Sequence, residues 1–135
     1  MGLTRTVTAP AAGSDGTATW AGKVYNDIGS IIDYRIMYTN ADAATITFDM
    51  SVSCVHKVVL GASRILAVSN VIDGQSFCIM LKQDASGSRT VTWWSGILWM
   101  DGTTPTLTTT GAKTDIFTFT RDGSSYYGTV NGLNL

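Results

Sequence analysis

The chain contains no glutamate, so its ten acidic residues are all aspartates, set against nine lysines and arginines for a net charge of −1. Charged residues make up only 14% of the sequence, where about a quarter is usual. Nucleic acid as a partner is not expected, because counterion release needs clustered cations and these are scattered singly. His56 is the single histidine and Cys54 and Cys78 the two cysteines. That is too few ligands for a structural zinc site and too few cysteines for a disulfide scaffold. Both cysteines lie in apolar, strand-like runs. They read as reduced thiols, with a bridge between neighbouring strands left open. No apolar run approaches the roughly 20 residues of a membrane span, and the first ten residues lack a secretory apolar core. The expectation is a soluble protein made in the cytoplasm, with no membrane partner.

Catalytic chemistry finds little to work with. Any Ser-His-Asp or Cys-His mechanism would have to use His56, which sits in Cys54-Val55-His56-Lys57-Val58, a strand pattern with no turn to present a nucleophile. A glycosidase pair would have to come from aspartates. Asp15, Asp73, Asp101 and Asp122 each precede a glycine and read as turn residues, while Asp49, Asp84 and Asp115 read as structural. No phosphate-binding loop is present, so no nucleotide, metal or other cofactor is implied.

What the chain does have is β-branched residues, threonine and glycine. Asp-Gly at 15–16, 73–74, 101–102 and 122–123, with Asn131-Gly132, supplies the positive-φ residues of tight turns. Between these marks the residues alternate: Ile46, Phe48, Met50 and Val52 face one way and Thr45, Thr47, Asp49 and Ser51 the other. Segments 56–60, 64–68, 76–82, 89–94, 115–120 and 125–130 follow the same rule, giving about seven strands. The fold class is therefore all-β, an antiparallel β-sandwich or jelly-roll-like domain over residues 41–135. Residues 1–40 read as an extended N-terminal arm and linker. Val24, Ile28, Ile31 and Ile32 allow a short helix at about 23–32, while Tyr34, Ile36 and Tyr38 alternate like a strand. Residues 1–19 hold too little apolar surface to fold alone and are expected to order against a partner.

Two groups of residues stand out as sites. Asp84 precedes Ser86-Gly87-Ser88 and Arg89 follows it, an arrangement for a structural clamp across a turn. Trp93 and Trp94 are adjacent, so in a strand they point to opposite faces, one into the core and one outward to a subunit contact. Tyr126 and Tyr127 repeat that arrangement on a later strand. Exposed rings of this kind anchor subunits or stack on sugars.

Residues 44–130 resemble a β-rich structural module of tailed-bacteriophage virion proteins. The resemblance is carried in order by Thr45-Ile46-Thr47-Phe48-Asp49-Met50-Ser51, Gly74-Gln75-Ser76-Phe77, Gln83-Asp84 through Trp93, Trp99, Thr104-Pro105-Thr106-Leu107, Asp115-Ile116-Phe117-Thr118-Phe119 and Tyr126-Tyr127-Gly128. The chain departs from the family at Trp94 and at Met100-Asp101-Gly102, where prolines and glycines are usual. The resemblance implies a non-enzymatic component of the virion surface, commonly a homotrimer, with phage capsid or tail proteins as partners. With no long shaft before the module, the expected role is a capsid decoration or head-fibre protein attached through its arm. The alternative is a tail-fibre tip or adaptor that binds a receptor or carbohydrate.

Overall fold

A computed structural model describes residues 36–135, which lie in a compact unit beginning at Tyr34. The arm expected over residues 1–40, with its helix at about 23–32, lies outside the described residues as far as residue 35. Of the last residues assigned to it, Tyr38 and Thr39 join the sheet.

The described residues are almost wholly β. In chain order the strands are β1 (Tyr38–Thr39), β2 (Thr45–Asp49), β3 (Val55–Leu60), β4 (Arg64–Ser69), β5 (Ser76–Gln83), β6 (Val91–Thr92), β7 (Ile97–Trp99), β8 (Thr114–Asp122) and β9 (Ser125–Gly132), with one 3₁₀ turn at Met100–Gly102. They form a six-stranded sheet in the order β1-β3-β5-β8-β9-β7 and a three-stranded sheet in the order β2-β4-β6.

The pairing is mixed rather than antiparallel throughout. From β1 to β6 the chain crosses between the sheets after every strand, so strands that become neighbours in one sheet are separated in sequence by a strand of the other. Neighbours then run parallel: Tyr38 beside His56 and Val55 beside Cys78 in the large sheet, Thr45 beside Ile65 and Arg64 beside Val91 in the small one. The intervening strand supplies the crossover that a parallel pair requires. Register partners along this winding lie 18, 20, 23 and 27 residues apart in sequence, from Tyr38–His56 and Thr45–Ile65 to Val55–Cys78 and Arg64–Val91. Only β5·β8 and β8·β9 are antiparallel, the second pair joined at the Asp122-Gly123 turn. β7 closes the far edge, parallel to β9.

The inward residues of both sheets meet in one core. Ile46, Phe48 and Leu66 come from the small sheet; Val58, Leu60, Ile79, Leu81, Phe117 and Phe119 come from the large one. Each fully buried side chain of this size contributes about 1.5–3 kcal/mol. The small sheet ends at the two residues of β6, whereas the large sheet continues through β8, β9 and β7. The inner face of those last strands therefore needs another cover.

Candidate functional site: an aromatic corner beside a clamped turn

Trp93 and Trp94 supply that cover. The strand stops at Thr92, so the alternation that would send the two indoles to opposite faces lapses, and both lie partly buried over the same strands. Trp93 meets Phe117 with ring centroids 5.0 Å apart, and Trp94 meets Phe119 at 4.8 Å. The two indoles touch edge to face at 5.7 Å. The expectation of one core and one outward tryptophan is thus corrected: the pair roofs strands that the small sheet does not reach.

Trp99 completes the cluster, 5.0 Å from Trp93. Its register partner is Gly128, where a Cβ would fall 2.8 Å from the Trp99 indole. Glycine is what allows the ring to lie on the β9 backbone. Tyr126 packs inward against Trp94 and Phe77, and Tyr127 points outward, 49% exposed beside Leu98. The outward aromatic of the expected quartet is therefore Tyr127.

The turn before Trp93 is held at several points. Asp84 Oδ1 accepts the backbone N–H groups of Ser86 and Gly87 at 3.1 and 2.9 Å. Arg89 donates Nε and Nη2 to Asp84 Oδ2 at 3.2 and 2.7 Å. The Arg89 guanidinium, with the Gly87 and Ser86 amides, holds the Asp84 carboxyl below its ordinary range. Buried Gln83 brackets the turn from beneath: its amide donates to the Arg89 carbonyl and accepts the Arg89 N–H, both at 2.9 Å. The role of Gln83 carried no sequence signal, since a glutamine at a strand end reads as exposed. A second pair, Asp42 with Arg64, stands on the neighbouring turn of the winding and is likewise held together by side-chain hydrogen bonds.

Gly87 (φ 69°) presses against the following loop so closely that a Cβ would fall 2.2 Å from the Thr109 carbonyl. That loop is anchored from the other side by Asp115, whose Oδ2 accepts the Thr108 N–H at 2.7 Å. Between turn and loop runs a groove of about 210 Å³, walled by residues 89–91 and Trp93 on one side and by residues 104–107 and Thr109 on the other.

No catalytic arrangement emerges around His56. The ring is buried, with Nδ1 2.8 Å from Asn40 Oδ1 and Nε2 2.9 Å from the Ser53 carbonyl oxygen, between the rings of Tyr38 and Phe48. Burial pushes its pKa down. Among the described residues no cluster of histidine, cysteine and aspartate could hold a metal ion, and no helix is long and apolar enough to cross a membrane. Cys54, just before β3, and Cys78 on β5 are free thiols, their backbones linked by a hydrogen bond from Cys78 N–H to the Cys54 carbonyl at 2.8 Å.

Neither a curated protein nor a solved structure matches the chain. Residues 39–126 match the family described as "Putative phage tail fibre C-terminal domain". That span begins at Thr39 in β1, takes in β2 to β8, both clamps and the tryptophan cluster, and reaches Tyr126 on β9. With well over half of its length inside the match, the chain belongs to this phage tail fibre domain family.

Proposed function

We propose that the protein is a non-enzymatic terminal module of a virion fibre, displayed on the particle surface as a homotrimer. The family match across the β unit is the observation that carries this reading. The candidate residues are occupied in ways that suit it: His56 is buried, and Asp84 and Asp115 accept backbone N–H groups. Association is proposed through the outer face of the six-stranded sheet. There Leu98 and Tyr127 stand exposed side by side and lead across Thr120 and Ser76, and Lys57 and Lys82 are the only charged residues facing out along β3 and β5. A face with so few charged gatekeepers suits burial against a neighbouring copy. Light scattering of the purified full chain should give three times the monomer mass, and protein analysis of purified virions should find the chain as a component. A stable monomer would remove the trimer, and absence from virions would remove the whole reading. A capsid-decoration or head-fibre role shares the module and differs in where on the particle it sits.

A further inference from the structure

The small sheet stops at β6, one edge of which no described strand covers, and the sequence of that edge occurs a second time in the chain. Arg89-Thr90-Val91-Thr92 is repeated as Arg5-Thr6-Val7-Thr8. We infer that residues 4–9 of a neighbouring copy add to β6 as a fourth strand of the small sheet. The backbone of β6 sets up the pairing. Arg64 donates its N–H to the Thr90 carbonyl at 3.0 Å, and its register partner is Val91. In a parallel ladder of this register, bonds run to the residues on either side of Val91, whose own N–H and C=O turn the other way. Val91 therefore presents both groups to the uncovered side. Edge groups of this kind are a template for an added strand.

The groove beside that edge, about 210 Å³, suits a length of extended chain and not a folded element. Val91, Trp93, Pro105 and Leu107 give it an apolar lining. Its far wall, residues 103–107, makes no backbone–backbone hydrogen bond among the described residues. Both walls are held in place: Gly87 abuts Thr109, Asp115 pins Thr108, and Gln83 brackets Arg89. Residues 4–9 match this space. Alternation sends Val7 to the apolar lining and Thr6 and Thr8 outward, as half-buried Val91 stands between exposed Thr90 and Thr92. Identical segments stack in parallel and in register, like beside like. With Val7 beside Val91, the Val91 N–H donates to the Thr6 carbonyl and the Thr8 N–H to the Val91 carbonyl. Pro10 has no N–H and ends the strand. The source is a neighbouring copy. The chain enters the sheets at β1, and the edge of the small sheet that follows is β2, with β6 at the far edge. In the homotrimer proposed above, on which this inference rests, each arm passes to the next copy, a head-to-tail exchange that closes into a ring. Residues 10–35 can span up to about 90 Å when extended, enough to reach it.

The test uses the full-length protein with the photo-cross-linker p-benzoylphenylalanine in place of Val7, irradiated and then digested for mass spectrometry. Cross-links are expected to join position 7 to residues 89–93 or 104–107, and to run on denaturing gels as multiples of the monomer mass. Amide hydrogen exchange supplies a second readout. The Val91 N–H should be protected, and Thr8→Pro, which removes one of the two pairing bonds, should lower that protection by about fivefold or more, the effect of one lost hydrogen bond. Thr8→Ala keeps the N–H and should keep the protection. A freely exchanging Val91 amide, cross-links confined to other surfaces, a cross-link to β6 within a single chain, or equal protection in the two Thr8 variants would each overturn the inference. Light scattering on the same sample separates the two readings: a trimer without these cross-links loses this inference alone, whereas a monomer loses both.

Discussion

Asp115 is a buried carboxylate on which two distant segments converge. Its Oδ2 accepts the N–H of Thr108 at 2.7 Å and its Oδ1 that of Asn134 at 3.0 Å, fixing both the groove loop and the C-terminal residues to the start of β8. Asp115→Ala leaves both donors without an acceptor and is expected to cost about 2–4 kcal/mol in urea unfolding, with Asp115→Asn recovering part of that through its one carbonyl oxygen. His56 sets a pH dependence at the same scale. Its folded pKa is pushed down by burial, so the neutral ring is the favoured form and its contribution is fully present above the unfolded value near 6.5. That contribution is lost as pH falls from about 6.5 through the lower folded value. Melting temperature should therefore begin to fall below about pH 6.5, and His56→Gln should flatten that part of the curve. Asp42, Asp49 and Asp84 act in a lower window. Hydrogen bonds from Arg64, Asn70 and Arg89 respectively, the largest cause in each case, hold their pKa values down. Their contribution is present above about pH 3.9 and declines below it.

At the scale of elements, the clamped turn and the groove loop fold as one piece because two glycines let their backbones touch. A Cβ on Gly111 would fall 2.2 Å from the Ala85 carbonyl, as close as one on Gly87 would come to Thr109. Gly87→Val, which adds a branched side chain at φ 69°, should separate the two segments. The expected signs are a lowered melting temperature and displaced Trp93 and Thr109 NMR signals, while a Gly74→Ala control, where a Cβ meets no atom, should cost far less. Much of the strand pattern was legible in the sequence, since alternation in 45–52, 56–60 and 76–82 reports directly which residues face a core. Direction was not legible: alternation is the same in parallel and antiparallel strands, and it was the crossing between sheets that made β1 to β6 parallel. The Asp-Gly turns at 73–74, 101–102 and 122–123 have their glycines at positive φ. Asn131-Gly132 instead ends β9, where a register shift opposite Ile116 and Phe117 takes up the irregularity. β7 was missed because Ile97-Leu98-Trp99 is only three residues long, too short for a period. The clamp residues Asp84 and Arg89 were readable from local turn chemistry; the loop at 104–109 was not, because what joins it to the turn is backbone contact across more than twenty residues of chain.

At the scale of the whole molecule, a winding that alternates between two sheets ends in an antiparallel extension roofed by tryptophans, and the family match ties this unit to phage fibres. Phe117 and Phe119 bridge the two parts, each buried completely and in contact with the tryptophans. Phe119→Ala should cost about 3–5 kcal/mol and, if roof and winding form one cooperative unit, lower the tryptophan-fluorescence and circular-dichroism midpoints together. The outer face bears on assembly. If Tyr127 and Leu98 lie between copies, the double change to serine should shift the purified protein from trimer to monomer in light scattering without lowering the amount of folded β-sheet. The measurement that bears most directly on the function is the position of this protein on intact particles, read by gold-labelled antibody raised against residues 36–135. The account predicts gold at the free ends of the fibres. Gold spread over the capsid lattice, or none on the virion, would contradict it.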